Sequence, residues 1–544
     1  MKSFLISAFL VASTVSAKQQ GRLVKPLPPP LVDEAFNDVE KRATTSGSAT
    51  FEQLIDHSDP SKGTFSQAYW WSTEYWTGPG APVIFFTPGE IAAAGYTGYL
   101  TNKTITGLFA QAVGGATILM EHRYWGDSSP YSVLSTENLT YLTLENSIKD
   151  TTYFANNVQL PFDTNGSSNA QNAPWVMAGG SYSGALTAWV ASVDPGTYWA
   201  YYATSAVVQA IDDFWQYFKP VQAGMPSNCS SDVTKVIDYV DSVLLSNDTD
   251  AITTLKTKFG LAGLEHNDDF ASVLENGPWE WQSNQFYTGY SGFYFFCDSV
   301  ENVGELFPNA TTVPGAEGVG LEKALDGYSK WVSEYLVPDT CASYGYDVWT
   351  DEYELGCFDT YNTSSPFYTD KSVDNVIDLQ WEWFLCNEPF AYWQDGAPKN
   401  ESTIVSRLVS ADYWQRQCAL FFPGPGTYGS AEGKTVEDVN AYTGGWDIAG
   451  NLTRLIWTNG EFDPWRDSTV SSVYKPGGQF TGTATAPLQL IPDGIHCSDM
   501  LAENGAVNAG VQEVIDNEVA QIKTWVEEYY TEKNKKSRAI KRNW

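Results

Sequence analysis

A serine stands between an apolar run and a stretch of small residues in Trp175-Val-Met-Ala-Gly-Gly-Ser181-Tyr-Ser-Gly184-Ala-Leu-Thr-Ala-Trp189. An apolar strand that enters a glycine turn, with a serine at the apex and a helix of small residues behind it, is how a nucleophile elbow is built. The turn leaves no room for side chains beside the serine, so glycine is needed there. The usual Gly-x-Ser-x-Gly spacing is met on one side only. Gly179 lies two residues before Ser181, but Ser183 occupies the position two residues after it, and glycine is delayed to Gly184. An ordinary strand-loop-helix turn rich in small residues is the plain alternative.

A serine nucleophile needs a base, and the chain has only four histidines: His57, His122, His266 and His496. In hydrolases with this elbow the order along the chain is Ser, acid, His. That order leaves His266 and His496 and excludes His122. His266 lies in the polar stretch Leu264-Glu-His-Asn-Asp-Asp269 and reads as a solvated bystander. His496 follows the strand-like run Leu488–Ile491 and the break Pro-Asp-Gly, so it is delivered on a loop at a strand end. The acid belongs between Ser181 and His496, again just past a strand. Arg454-Leu-Ile-Trp-Thr-Asn-Gly460 leads to Glu461-Phe-Asp463-Pro-Trp465-Arg-Asp467. Asp463, held out of helical geometry by the following proline, is the first choice. Asp467 is the reserve and Glu461 the third. In this reading Ser181 attacks a carbonyl, His496 shuttles the proton, and Asp463 fixes the imidazole tautomer and stabilises its cation.

Three segments together resemble one family: Gly179-Gly-Ser181-Tyr-Ser-Gly184, Asn459-Gly-Glu-Phe-Asp463-Pro-Trp465 and Asp493-Gly-Ile-His496. They are similar to the serine peptidases that include lysosomal Pro-X carboxypeptidase and dipeptidyl peptidase II. Phe51-Glu-Gln-Leu-Ile-Asp-His57, Gly63-Thr-Phe-Ser-Gln67 and Glu121-His-Arg-Tyr-Trp-Gly-Asp-Ser-Ser-Pro130 agree with this. The likeness runs from about residue 51 to 530. The aromatic-rich wording of Tyr69–Trp76 and Trp381–Pro389 is closest to the fungal acid prolyl endopeptidases. The resemblance implies an α/β fold: an α/β-hydrolase core with a large, mainly helical cap inserted between nucleophile and acid. It also implies cleavage after proline, and it carries the catalytic roles to Ser181, Asp463 and His496. One departure stands: relatives often have glycine where this chain has Ser183, whose added atoms could crowd the elbow, but only a subtle effect is expected because Gly184 still lets the helix pack closely.

The oxyanion hole is expected to use the backbone N–H of Tyr182. A second N–H is expected from Gly89 or Glu90, after the strand-like Pro82-Val-Ile-Phe-Phe-Thr-Pro-Gly89, with a plain strand-to-turn exit as the equal alternative. The polar Glu121–Gly126 segment, at another strand end, is expected to brace this face. A proline ring offers no N–H and no polar handle, so its pocket should be small, rigid and aromatic. Trp465 is the first wall candidate, Tyr182, Trp381 and Trp383 come next, and Ala185 could set the depth. Glu388 is the candidate to bind a substrate amine, a role that an endopeptidase would not need.

The N-terminus reads as a signal peptide over 1–17, then a Pro-rich pro-segment over 18–42 that ends at the dibasic Lys41-Arg42, with Ala43 as the mature start. The plain alternative is an unstructured N-terminal arm. Nine Asn-x-Ser/Thr sequons, at Asn102, Asn138, Asn165, Asn228, Asn247, Asn309, Asn362, Asn400 and Asn451, fit a glycosylated, secreted chain. The destination is the extracellular medium or, as the alternative, the vacuole. Seven cysteines allow three disulfides with one left over. Cys341–Cys357 and Cys386–Cys418 are the expected local bridges, and Cys497 the buried free thiol. No cysteine or histidine cluster has metal-ligand spacing, so neither a metal nor a cofactor is expected. A net charge of −34 argues against nucleic acid or an anionic membrane as partner and suits an acidic medium. The partners are then proline-containing peptides or proteins. In acid His496 must stay neutral to act as base, which requires desolvation to outweigh Asp463.

Strand-helix alternation over 43–205 favours a mostly parallel sheet. From 206 to 440 the pattern is helical and aromatic, as for a cap. The core returns over 441–530 with strands at Arg454–Thr458 and Pro487–Ile491. A closing helix follows with Val519, Ile522, Val526 and Tyr529 on one face. The basic tail, 531–544, reads as disordered or trimmed. The resulting expectation is a secreted, acid-active serine endopeptidase that cleaves after proline. A proline-specific exopeptidase, a carboxylesterase and a non-catalytic binding protein are the alternatives, in that order.

Overall fold

A computed structural model of the chain describes Leu27–Pro28 and residues 45–310, 312–424 and 426–542. The signal peptide and pro-segment boundaries lie outside the described residues, and of the pro-segment only Leu27 and Pro28 are described.

Ten strands are present among the described residues: β1 Ser46–Leu54, β2 Thr64–Ser72, β3 Val83–Phe86, β4 Ala116–Met120, β5 Trp175–Gly180, β6 Ala200–Thr204, β7 Ile211–Asp213, β8 Ala391–Trp393, β9 Leu455–Gly460 and β10 Leu488–Ile491. Eight form one sheet in the order β1-β2-β4-β3-β5-β6-β9-β10. β1 pairs antiparallel with β2, and β2 with β4; every later pairing in that sheet is parallel. β7 and β8 form a separate short parallel pair. β3, β4, β5, β6 and β9 are buried at every position. Their apolar runs do not alternate with polar residues because both sheet faces are covered. Along β3, Val83 and Phe85 join one hydrophobic cluster while Ile84 and Phe86 join the other. The sheet is therefore sandwiched between two cores.

Between β6 and β9 the chain makes a mainly helical insertion. It includes helices Ser227–Leu244, Thr249–Lys258, Gly292–Val300, Leu321–Trp331 and Leu379–Asn387. This is the expected cap on an α/β-hydrolase core. Three disulfides cross-link it: Cys229–Cys297, Cys341–Cys357 and Cys386–Cys418. Each is worth on the order of 3–4 kcal/mol in the chain-entropy account. Cys497 is free and buried.

The closing helix spans Ala509–Arg542. Ile522 and Val526 are buried on the sheet as expected, with Val519 packed beside them. The tail expected to be disordered continues this helix as far as Arg542, because Glu527–Lys536 holds no residue that breaks a helix. Among the described residues no helix is long and apolar enough to cross a membrane.

Candidate active site

β5 ends at Gly180, and the helix Ser181–Val193 begins with the candidate nucleophile itself. Ser181 has φ +57°, the left-handed region that costs a non-glycine residue strain. The glycines around it are forced by contact. A Cβ on Gly179 would lie 2.2 Å from the Ser183 carbonyl oxygen, and one on Gly184 would lie 2.8 Å from the Thr204 carbonyl oxygen. Ser183 does not crowd the turn. Its buried hydroxyl donates to the Thr87 carbonyl, which ties the elbow to the chain leaving β3.

Past β9, Asp463 is fully buried, and past β10, His496 is 2% exposed. His496 Nδ1 and Asp463 Oδ1 are 2.9 Å apart. An ionised carboxylate only accepts, so Nδ1 carries the proton and Nε2 is left as the acceptor. His496 Nε2 has no hydrogen-bond partner among the described residues. Asp463 Oδ1 also accepts the Trp465 N–H at 3.0 Å, which orients the carboxylate. The next loop residue, Cys497, packs under the elbow, with Sγ 3.0 Å from where a Cβ on Gly180 would stand. The reserve acids lie elsewhere. Asp467 accepts from Ser472 Oγ and the Val473 N–H, and Glu461 accepts the Asp493 N–H.

Burial opposes a charge on His496, but Cys497 and Asp463 outweigh it and hold the imidazole well above its ordinary value. Burial also pushes the Cys497 thiol up, so in acid it is uncharged and Asp463 is the cause that remains. The requirement that desolvation prevail at His496 is thus reversed: a charge 2.9 Å away is stronger than the loss of water.

Ser181 lines a cavity of about 300 Å³ together with Glu90, Tyr182, Trp381 and Trp465. Burial pushes the Glu90 carboxyl up to about 8; Asp378 adds to this, while Glu90's own N–H and His496 oppose it. Glu90 Oε2 is buried without a hydrogen-bond partner. Gly89, with φ +80°, comes close enough to the elbow that a Cβ would lie 3.0 Å from the Tyr182 ring. Trp465 is set by its Nε1–H, which donates to Gln282 Oε1 at 2.9 Å, and by Tyr217 and Tyr392, each 5.3 Å away between ring centroids. Trp381 packs edge-on to Tyr182 at 5.4 Å.

Three expected pocket residues lie off the cavity. Trp383 is in the core, donating to the Leu142 carbonyl and packed edge-on to Phe422. Ala185 is wholly buried inside the elbow helix. Glu388 accepts the Leu144 N–H and pairs with Lys434, so it is spent on structure. Each sits only two or three residues from one that does line the cavity (Trp381, Tyr182 and Leu385 respectively), a distinction that depends on which side of its helix faces the cleft.

The Glu121–Gly126 segment braces this face. Glu121 accepts from the Ala93 and Asp127 N–H groups and from Ser128 Oγ. Arg123 grips Asp150 and the carbonyls of Leu54, Ile55 and Tyr141. His122 Nδ1 donates to the Arg123 carbonyl, so Nε2, 3.0 Å from the Tyr182 hydroxyl, accepts its proton. Burial lowers His122 to about 4 and keeps it neutral above that pH.

Sequence reasoning did not find Val207, Trp279, Asp378, Tyr392 and Trp414, which are among the residues lining the cavity. They come from separate parts of the chain, and no local pattern marks them. Asp378 alone carried a signal, as an aspartate just ahead of a helix. It has φ +57° and caps Leu379–Asn387 through the Trp381 N–H, and burial pushes it up to about 7.

The profile of the serine carboxypeptidase S28 family matches residues 53–284 and 340–514. The serine protease vicPa of Bipolaris victoriae (strain FI3) is 43% identical over 490 residues, covering 90% of each chain. The serine protease vicPb of the same organism is 42% identical over 492 residues, covering 90% of this chain and 91% of its own. A probable extracellular serine carboxypeptidase of Arthroderma benhamiae is 32% identical over 460 residues, covering 81% of this chain and 60% of its own.

Proposed function

The chain belongs to the serine carboxypeptidase S28 family and is a serine peptidase of that family; from this premise we propose that it is a secreted endopeptidase cutting on the carboxyl side of proline. Ser181 Oγ attacks the carbonyl carbon of the proline residue and His496 Nε2 takes its proton. The tetrahedral intermediate then collapses as His496 returns that proton to the leaving amine. A water activated by the same imidazole releases the acyl group. Asp463 holds Nδ1–H and balances the imidazolium. The Tyr182 N–H and the Gly89–Glu90 loop face the developing oxyanion, and Glu90, protonated below about 8, adds an O–H donor there. Trp465, Trp381 and Tyr182 wall the proline ring.

The observation that carries this reading is a cavity joining a strained serine to an aromatic wall, with the Asp463–His496 pair at the elbow's flank. Its lining also supports internal cleavage. Among the described residues lining it there is no Lys, Arg or His, so a C-terminal carboxylate finds no counter-charge. Glu90 and Asp378, the enclosed carboxyls, are neutral in acid, which leaves Asp374 as the remaining carboxyl of the lining to face an N-terminal ammonium. All nine sequon asparagines are exposed or half-buried, as glycosylation of a secreted chain requires. The net charge and the raised carboxyls around the cleft suit an acidic medium, whereas the raised His496, which must be neutral to take the serine proton, opposes activity there; the acid limb of the pH–rate profile decides between the two.

The test is digestion of proline-containing peptides blocked at both ends, beside Ser181→Ala, with products mapped by mass spectrometry. Internal cuts after proline that vanish in the variant are expected. Trimming only of peptides with a free end would replace this with the exopeptidase reading, and cleavage of acyl esters alone with the carboxylesterase one.

A further inference from the structure

Leu27 lies in the segment ahead of the dibasic Lys41-Arg42, yet it is 0% exposed. It belongs to the hydrophobic cluster containing Phe86, Tyr96, Tyr99, Cys497 and Met500. Its Cδ2 would stand 2.9 Å from a Cβ on Gly180, the residue immediately before Ser181. The same point is 3.0 Å from Cys497 Sγ and 2.6 Å from Met500 Sδ, on the loop that carries His496. Two tyrosine hydroxyls hold the backbone: Tyr96 donates to the Leu27 carbonyl at 3.1 Å and Tyr99 to the Pro28 carbonyl at 2.8 Å. Both tyrosines lie in the 3₁₀ segment Ala93–Leu100, which follows the Gly89–Glu90 loop. Leu27 thus lies beside Gly180, shares a cluster with Cys497 and Met500 of the His496 loop, and is held by the tyrosines that follow the Glu90 loop, so it sits among the three segments that present Ser181, His496 and Glu90.

We infer that Leu27–Pro28 is a built-in ligand of the underside of the catalytic centre, and that the N-terminal segment stays bound there after the chain is cut at Lys41-Arg42. The chemistry suits retention. Departure would leave a leucine-sized void under Gly180 and strip two enclosed tyrosine hydroxyls of their acceptors. Docking costs little in return. Pro28 keeps the preceding Leu27 out of helical backbone, and prolines supply carbonyls without bringing donors that need burial. A segment that a processing protease severs from the enzyme in sequence is therefore kept as part of its core, and the three loops of the site are assembled against it.

The test uses the full secreted chain, cut at Lys41-Arg42 with a dibasic-specific endoprotease and weighed by native and by denaturing mass spectrometry. One non-covalent complex is expected under native conditions, which denaturation splits into the chain from Ala43 and a peptide containing Leu27. A native mass equal to the chain from Ala43 alone, with an unchanged melting temperature, would overturn the inference. The uncut full chain carrying Leu27→Arg gives a second reading. Its melting temperature is expected to fall by at least about 2 °C, and Tyr96→Phe with Tyr99→Phe should lower it in the same direction. A Leu27→Arg chain that melts like the unaltered one would refute the docking. Neither readout needs peptidase activity.

Discussion

Glu90 should set the alkaline limit of activity. Its carboxyl lines the cavity beside Ser181, is pushed up to about 8 by burial, and leaves Oε2 unpartnered. As an acid it donates to the oxyanion; as an anion it repels it. Above pH 8 the protonated fraction falls tenfold per pH unit, equivalent to about 1.4 kcal/mol per unit of lost transition-state stabilisation. By pH 10 kcat/KM should have dropped about 100-fold from its plateau on this account alone. Glu90→Gln keeps an N–H donor that does not titrate in this range, so its limb should move to higher pH, and the variant-to-native ratio should rise about 100-fold between pH 6 and 10. Glu90→Ala removes the donor and should cost about 10²–10³ in kcat on the plateau below pH 8, a deficit that shrinks above it as the native carboxyl ionises. The assay is initial-rate hydrolysis of an end-blocked proline peptide after a brief jump from a stock at pH 5, normalised by titration of reactive Ser181. Because kcat/KM reports the free enzyme, its limb is the one to compare with Glu90. An alkaline limb at the same pH in native and Glu90→Gln enzyme would refute the assignment and move it to another carboxyl, Asp378 first.

Two further outcomes are expected. Asp463→Asn should lower kcat by about 10⁴ with little change in KM, because the amide no longer fixes the proton on Nδ1 of His496; steady-state kinetics on the same peptide checks this. The fold itself should be most stable in acid. Burial raises Asp269 to about 6, with the charge of Asp268 adding to it; Glu301 goes to about 8 by burial and Asp232, and Asp395 to about 9 by burial and Asp213. Each holds a proton in the folded state that the unfolded chain releases near pH 4. Their stabilisation is therefore full below about pH 4 and lost as pH rises through 6 to 9, at about 1.4 kcal/mol per unit per group. Melting temperatures read from pH 4 to 9 should fall throughout, and a flat profile would contradict this.

The apolar runs that became β3, β4, β5 and β9 were legible because strands covered on both faces carry few polar residues, and β10, a half-exposed edge strand, was legible from its leucines and the Pro-Asp-Gly break that ends it. Ser181, Asp463 and His496 were legible because each sits just past such a run, among glycines or a proline that only a sharp turn requires. Local chemistry determined this much, since a turn leaves its mark within a few residues. What lies between them did not. Whether Trp381 or Trp383 faces the cleft, whether Glu388 is free or paired with Lys434, and that Trp279, Tyr392 and Trp414 join the wall depend on how an insertion of some 250 residues packs. The protonation of Glu90 and the charge on His496 were equally out of reach. Desolvation and a neighbouring charge act through space, and only the tertiary structure says which of the two stands nearer.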